Sequence, residues 1–136
     1  MTNSNTQSKT LNLALWVVQV QLAITFVGTG LWKLLTPVSD LAAKMPWMGE
    51  VSPAFLQTTA VLDLLGGVGV LVPWATRIAP GLSILAALGC VGLMAGAIVF
   101  HLQRGEAAST PFNLVMAALA AFVAWGRHFR APITQG

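Results

Sequence analysis

The sequence predicts an all-α fold, an integral membrane bundle of four helices, and three observations support it. Four apolar runs fill most of the 136-residue chain, each long enough to cross a hydrocarbon core of about 30 Å. Apolar residues make up 56% and charged residues 8%, whereas soluble domains carry about 25% charged residues. Prolines and polar residues separate the runs. We expect the helices at residues 11–36, 53–72, 76–103 and 110–126.

Prolines and cap residues set these boundaries. Pro37 ends the first helix, because proline lacks the N–H that would continue the hydrogen-bonding ladder. Pro53 lies in the first turn of the second helix, where proline is favoured, and Pro73 follows its end. Ser109 or Thr110 is the predicted N-cap of the fourth helix.

One long connection is predicted, over residues 37–52. Within it, Ser39-Asp40 followed by LAAKM predicts a short capped helix at the membrane interface. Trp47 would anchor that helix, because tryptophan concentrates at the boundary between lipid and water. The other two connections are predicted to be tight turns at residues 73–76 and 104–109.

The chain is predicted to be a single four-helix transmembrane domain over residues 11–130. The polar residues 1–10 form an N-terminal tail that we expect to be mobile, and residues 131–136 form a C-terminal tail. The first apolar run exceeds the roughly 7–15 residues of a signal-peptide core, so we predict no cleavage.

The distribution of basic residues predicts the orientation. Four spans put both termini on one side, and that side has more Lys and Arg in its loops than the other. Because positive loops resist translocation, we expect a multi-pass protein of a prokaryotic cytoplasmic membrane, with the N and C termini in the cytoplasm. The basic residues on the terminal side are Lys9, Arg77, Arg127 and Arg130.

Several classes of function are disfavoured. Lys and Arg form no cluster with interleaved aromatics, so we expect no nucleic-acid partner. Cys90 is the single cysteine and cannot form a disulfide within the chain. His101 and His128 fall on opposite sides of the membrane, which argues against a haem held by two histidines. His101, Glu106 and Asp63 match no specific metal-ligand spacing, so we predict neither a metal nor an intrinsic cofactor.

Polar residues inside the membrane mark the candidate site. Gln21, Thr25, Thr29 and Lys33 recur every four residues on the first helix and should share one face toward the bundle interior, with Trp32 beside it.

The other helices add polar residues of their own. The second helix carries Thr59 and Asp63 on one face, and Asp63 lies about ten residues, or ~15 Å, from Pro53. Near the same end of the bundle lie His101 at the end of the third helix, Glu106 in the turn that follows and Asn113 at the start of the fourth helix. An ionisable group near the bilayer centre costs about 2.5–3.5 kcal/mol on insertion scales, so it needs a partner or a function.

Three interpretations of Lys33 and Asp63 remain open on the sequence alone. The two residues form a structural ion pair that fixes helix register. Alternatively, Lys33 extends to the membrane surface. In the third interpretation, both line a polar pocket that is open on the outer side and accepts a lipid headgroup, a quinone or a proton.

The motifs in the four helices resemble those of the DoxX-like family of small four-helix membrane proteins. They are ALWVVQVQLAITFVGTGLWKLL, VLDLLGGVGVLVPWATR, LMAGAIVFHLQRGE and NLVMAALAAFVAWGR. By this resemblance, the family's lysine corresponds to Lys33, and its histidine and glutamate correspond to His101 and Glu106. Many members have Glu at the position of Asp63.

The resemblance implies a membrane component connected with quinone-linked sulfur or terminal-oxidase chemistry, or an accessory or assembly factor. We therefore expect a multi-pass accessory subunit of a redox or envelope-stress system, without catalytic activity of its own. It would bind a quinone, a lipid or a partner's helix, and its surroundings would be the lipid bilayer with a membrane-protein partner or a second copy. The alternatives are a membrane subunit of a quinone-linked oxidoreductase and a small transporter or proton-conducting protein.

Overall fold

A computed structural model of the chain describes residues 2–79 and 81–130, and within these residues it is helical, with no strand. A 3₁₀ turn at Ala107–Ser109 precedes the last long helix, and a π-helical turn at Gly126–Arg130 continues it. The helices are α1 (Thr2–Leu35), α2 (Val38–Lys44), α3 (Trp47–Glu50), α4 (Pro53–Thr76), α5 (Gly81–Gln103) and α6 (Thr110–Trp125).

The four long helices confirm the predicted all-α membrane bundle. Four segments are long and apolar enough to cross a membrane: Lys9–Leu35, Pro53–Thr76, Gly81–Gln103 and Thr110–Arg130. α1 packs chiefly against α4, and α5 packs against both α4 and α6. We call the end that holds α2, α3 and the α5–α6 turn the loop end, and the opposite end, where α1 starts and α6 finishes, the terminal end.

Two predicted helix starts are wrong. α1 begins at Thr2 rather than at residue 11, because each residue added to an existing helix gains a hydrogen bond at little further cost; the apolar span itself begins at Lys9. α5 begins at Gly81 rather than at residue 76. The predicted range 76–103 places Pro80 one turn inside this helix, and Pro80 lies outside the described residues.

The predicted end of α4 is also wrong, because Pro73 lies inside the helix, which continues to Thr76. A proline disrupts the ladder, but neighbouring helices can bind the freed backbone groups. Here the N–H of Trp74 donates to Ser83 Oγ at 3.0 Å, and the Val70 carbonyl accepts from Gln19 Nε2 at 2.8 Å. The turn therefore falls after Thr76, where Arg77 and Ala79 have positive φ values of 61° and 49°.

Glycines set the close approach of α1 to α4. A Cβ at Gly30 would lie 2.7 Å from the Ala60 carbonyl oxygen, and one at Gly67 would lie 2.8 Å from Val27 Cγ2. A side chain at either position would force the helices apart, so these glycines allow the tight packing that small residues provide in membranes. The same contacts fix the register that brings the last turn of α1 beside the middle of α4.

The long connection folds back onto the loop end of the bundle. It contains α2 and α3 instead of the single predicted helix, and α2 begins at Val38 after Pro37 with no side-chain cap. Leu41 and Met48 are buried in a small cluster with Leu56, against which Trp32 and Trp47 pack. The connection therefore covers that end with apolar contacts.

Candidate functional site

A cavity of about 720 Å³ lies at the loop end between the long helices, beneath α3. This volume is in the range of about 300–1,000 Å³ that is typical of small-molecule sites. Most of the lining is apolar, and the polar residues come from α1, α4, α5 and α6. The sequence-predicted site residues in the lining are Thr25, Thr29, Trp32, Lys33, Thr59, Asp63, His101 and Asn113.

Lys33 and Asp63 form a direct ion pair in the cavity wall. Lys33 Nζ lies 2.9 Å from Asp63 Oδ2, and the two side chains are 9% and 6% exposed. Lys33 Nζ also donates to Thr59 Oγ1 at 3.3 Å, and that hydroxyl donates in turn to the Leu56 carbonyl. Because an ammonium has three N–H donors, two are engaged here and one is available to a molecule in the cavity.

Trp47 of α3 lines the cavity at the loop end. Its ring meets Phe100 and His101 edge to face, at centroid distances of 5.5 and 5.9 Å. Lys33 Nζ lies 5.5 Å from the Trp47 ring centroid, within the range of a cation–π contact. The cation thus joins α1, α3 and α4 around one wall of the cavity.

An ion network at the loop end connects α3 to the end of α5 and the turn that follows it. Arg104 donates to Glu50 Oε2 of α3 at 2.8 Å and to Glu106 Oε1 at 3.0 Å. His101 Nδ1 lies 3.0 Å from the same Glu106 oxygen and carries the proton, since a carboxylate only accepts. The hydrogen bond from His101, followed by that from Arg104, holds the pKa of the Glu106 carboxyl below its ordinary value, against the opposing effect of burial.

Two buried N–H groups in the lining residues have no acceptor among the described residues. They are Asn113 Nδ2 on α6 and Trp47 Nε1 on α3. Asn113 is only 6% exposed. A buried polar group without a partner costs about 1–3 kcal/mol, so each such donor needs an explanation. Both residues line the cavity, and a rotation of either side chain toward it would let its N–H donate to a molecule with acceptor oxygens.

Two predicted site residues lie outside the cavity lining. Gln21 is exposed, although its amide donates to Thr25 Oγ1 at 2.9 Å and contacts Met116 Sδ at 3.9 Å. Steps of four residues rotate by about 40° each around a helix, and three such steps from Lys33 carry Gln21 off the inner face. Glu106 is the other residue outside the lining, and it contacts His101, which lines the cavity, and Arg104.

A second polar cluster, at the terminal end, was not predicted as such. Arg127, taken from the sequence as a loop charge, is fully buried. It donates to Gln19 Oε1 at 2.7 Å and to Asn12 Oδ1 at 2.6 Å, and it lies 4.6 Å from the Trp74 ring centroid. Gln19, a polar residue at membrane depth, could have indicated this cluster from the sequence. It lies on a different face of the helix from the four-residue stripe through Gln21.

Comparison with known proteins agrees with this architecture. The sequence profile of the DoxX-like family matches residues 17–123, which covers most of the four membrane spans. No curated protein sequence and no solved structure matches the chain.

Proposed function

The chain belongs to the DoxX-like family, and we propose that it is a non-catalytic accessory protein that binds a lipid-soluble molecule in its cavity. The leading candidate is a quinone, and a lipid with a carbonyl-bearing headgroup is the other. The observation that supports this most is the pair of acceptor-free N–H groups, Asn113 Nδ2 and Trp47 Nε1, in the lining of an apolar cavity. An apolar molecule with two acceptor oxygens matches both the walls and the donors.

The Lys33–Asp63 pair supports ligand binding in a second way. Its charges compensate each other at 2.9 Å, so the cavity accepts an uncharged ligand without leaving a bare charge in the membrane. The remaining N–H of Lys33 supplies a third donor. A carbonyl oxygen near Lys33 would therefore receive a charge-assisted hydrogen bond, which is stronger than one from a neutral donor.

A titration with decylubiquinone, a short-chain benzoquinone, tests this function. We expect quenching of tryptophan fluorescence by the quinone, and much of that quenching should be absent from the Trp47→Phe variant, because Trp47 lies in the cavity wall. Asn113→Leu should weaken binding by about three- to tenfold, the equivalent of one lost hydrogen bond. Gln57→Leu is the matched control, because Gln57 is an exposed amide on α4 outside the cavity lining.

Three other outcomes would each have a different meaning for the proposed site. Equal binding by the wild type, Asn113→Leu and Gln57→Leu would refute the site. Quenching that persists in full without Trp47 would indicate partition of the quinone into the detergent. If phospholipid competes with decylubiquinone at equal mole fraction, the ligand is the lipid.

The presence of Asp63 in the same lining favours one second function, a membrane subunit of a quinone-linked oxidoreductase. In that role Asp63 would exchange a proton with the quinone while Lys33 holds the carbonyl. This function predicts that membranes with the wild-type protein oxidise a donor faster than membranes with Asp63→Asn, at equal amounts of protein. Equal rates would leave the accessory role.

A further inference from the structure

Two glycines of α5 face open space at the level of the cavity. Near the terminal end α4 and α5 are in contact: a Cβ at Gly66 would lie 2.9 Å from Cys90 Sγ, and one at Gly69 would lie 2.8 Å from Ala86 Cβ. Further toward the loop end, Gly92 and Gly96 have no atom within 4 Å of the Cβ position. Gly92 and Gly96 form a G-x-x-x-G pair, a spacing that commonly packs membrane helices together, but within the described residues no neighbouring helix contacts them.

Both open glycines line the cavity and are exposed. Opposite them, Thr58 and Leu62 of α4 also line the cavity, and both are exposed. Exposed lining residues on two candidate membrane spans indicate a gap between these spans, through which the cavity opens. Toward the loop end, the stacked rings of Phe55 and Phe100, with centroids 5.9 Å apart, bound the gap.

The route toward water is more obstructed. Trp47 lies over Lys33 and against His101 at that end, and α3 is fastened by the ion pair of Glu50 with Arg104. Entry there requires α3 to move and its ion pair to break. Entry through the gap requires only displacement of lipid chains or of the partly exposed Leu62 side chain.

We propose that the gap framed by Thr58, Leu62, Gly92 and Gly96, which we call the lateral portal, admits the ligand directly from the bilayer. The occupant is therefore an uncharged molecule dissolved in the membrane, with an apolar tail that extends through the portal and acceptor oxygens that reach the buried N–H groups. Asn113 is only 6% exposed, and its Nδ2 has no acceptor among the described residues. It is the internal anchor, the residue that binds the polar end of the ligand. This inference rests on the proposed function and adds the route and the physical class of the ligand.

The test narrows the portal without altering the anchor. Gly92→Leu/Gly96→Leu adds side chains into open space, so the helices need not move. Gly89→Leu is the matched control, because Gly89 is on the same helix, is exposed and also has open space at its Cβ position, but it is not in the cavity lining. Leu62→Trp narrows the portal from α4 and provides an independent second variant.

Stopped-flow quenching of Trp47 by decylubiquinone, with Trp47→Phe as background, gives both rate constants. We expect both narrowing variants to slow association by at least about tenfold, because the entry route is narrower while the internal anchor is unchanged. Gly89→Leu should exchange at the wild-type rate.

Other outcomes separate failure of the route from failure of the function. Unchanged rates in both narrowing variants would overturn the lateral portal while leaving the ligand site intact. Weaker binding at an unchanged association rate would overturn it too, since the glycines would then belong to the binding surface. A loss of dimers in Gly92→Leu/Gly96→Leu, measured by analytical ultracentrifugation, would assign the gap to a second copy of the chain. No Trp47-dependent quenching of the wild type would overturn the proposed function and this inference with it.

Discussion

Replacement of Lys33 by Met is the perturbation whose effect follows most directly from the structure. The change keeps an unbranched side chain that is one atom shorter and removes its charge. It deletes the 2.9 Å contact with Asp63, the 3.3 Å hydrogen bond to Thr59 and the cation–π contact with Trp47. The main consequence is a carboxylate that is 6% exposed and has lost its counter-ion.

Two independent free-energy scales give the cost of leaving Asp63 without its counter-ion. An unpaired charge at membrane depth costs about 2.5–3.5 kcal/mol on insertion scales. Removal of one partner of a buried ion pair costs about 3–5 kcal/mol in proteins. We therefore expect Lys33→Met to lower the free energy of unfolding by about 3 kcal/mol at neutral pH. The loss should be smaller in acid, because protonation of Asp63 removes the uncompensated charge.

A double-mutant cycle in mixed detergent micelles measures this coupling. Asp63→Asn removes the other charge, and Lys33→Met/Asp63→Asn removes both, so the double variant should recover about 2 kcal/mol relative to the sum of the single changes. Lys44→Met is the control, because Lys44 is exposed at the end of α2, and it should change stability by less than about 0.5 kcal/mol. Additivity of the two single changes within about 0.5 kcal/mol would refute the reasoning.

Three further predictions concern other parts of the molecule. Arg127→Met should destabilise the terminal end by about 3 kcal/mol, because it leaves the buried Gln19 amide oxygen without its donor. The exposed Arg130→Met should have little effect in the same unfolding assay. Gly30→Leu should lower the free energy of unfolding by about 1–3 kcal/mol, because the new side chain would clash with α4. Gly28→Leu should not, because Gly28 has open space at its Cβ position. Equal melting temperatures of the two variants would contradict the packing. Because the folded-state pKa of Glu106 lies below its ordinary value of 4.5, the stability that its carboxylate contributes is present above that value and is lost as pH falls through the folded-state pKa. Glu106→Gln should remove this part of the pH dependence, and acid titration of Trp47 fluorescence in both proteins measures it.

The membrane bundle was predictable because lipid imposes strong constraints on sequence. Long apolar runs with few charges specify the spans, since every backbone polar group must be bonded within a helix. The pairing of Lys33 with Asp63 was one of three open interpretations, and the close approach of α1 and α4 at Gly30 resolves it. The end of α4 was not predictable from local rules, because Pro73 is accommodated by Ser83 of α5 and Gln19 of α1, which are distant in sequence.

The role of Trp47 was also beyond local reasoning. Its position in a polar connection is typical of an interfacial anchor, and only the fold of α2 and α3 onto the bundle places it over the cavity. Gln21 illustrates the opposite error, in which a regular spacing was extended too far around the helix. Gly92 and Gly96 of α5 show that a G-x-x-x-G motif leaves room for close helix packing without specifying that a helix of the same chain fills it.

The most direct test of the ligand-binding account is to identify what the protein carries out of the membrane. Native mass spectrometry of wild-type protein and Asn113→Leu, each released from the same lipid nanodiscs, compares the molecules bound to each chain. The account predicts an uncharged, lipid-soluble molecule with acceptor oxygens, at about one per wild-type chain, and depletion by about three- to tenfold in Asn113→Leu. The same bound molecules in the same amounts on both proteins would contradict it.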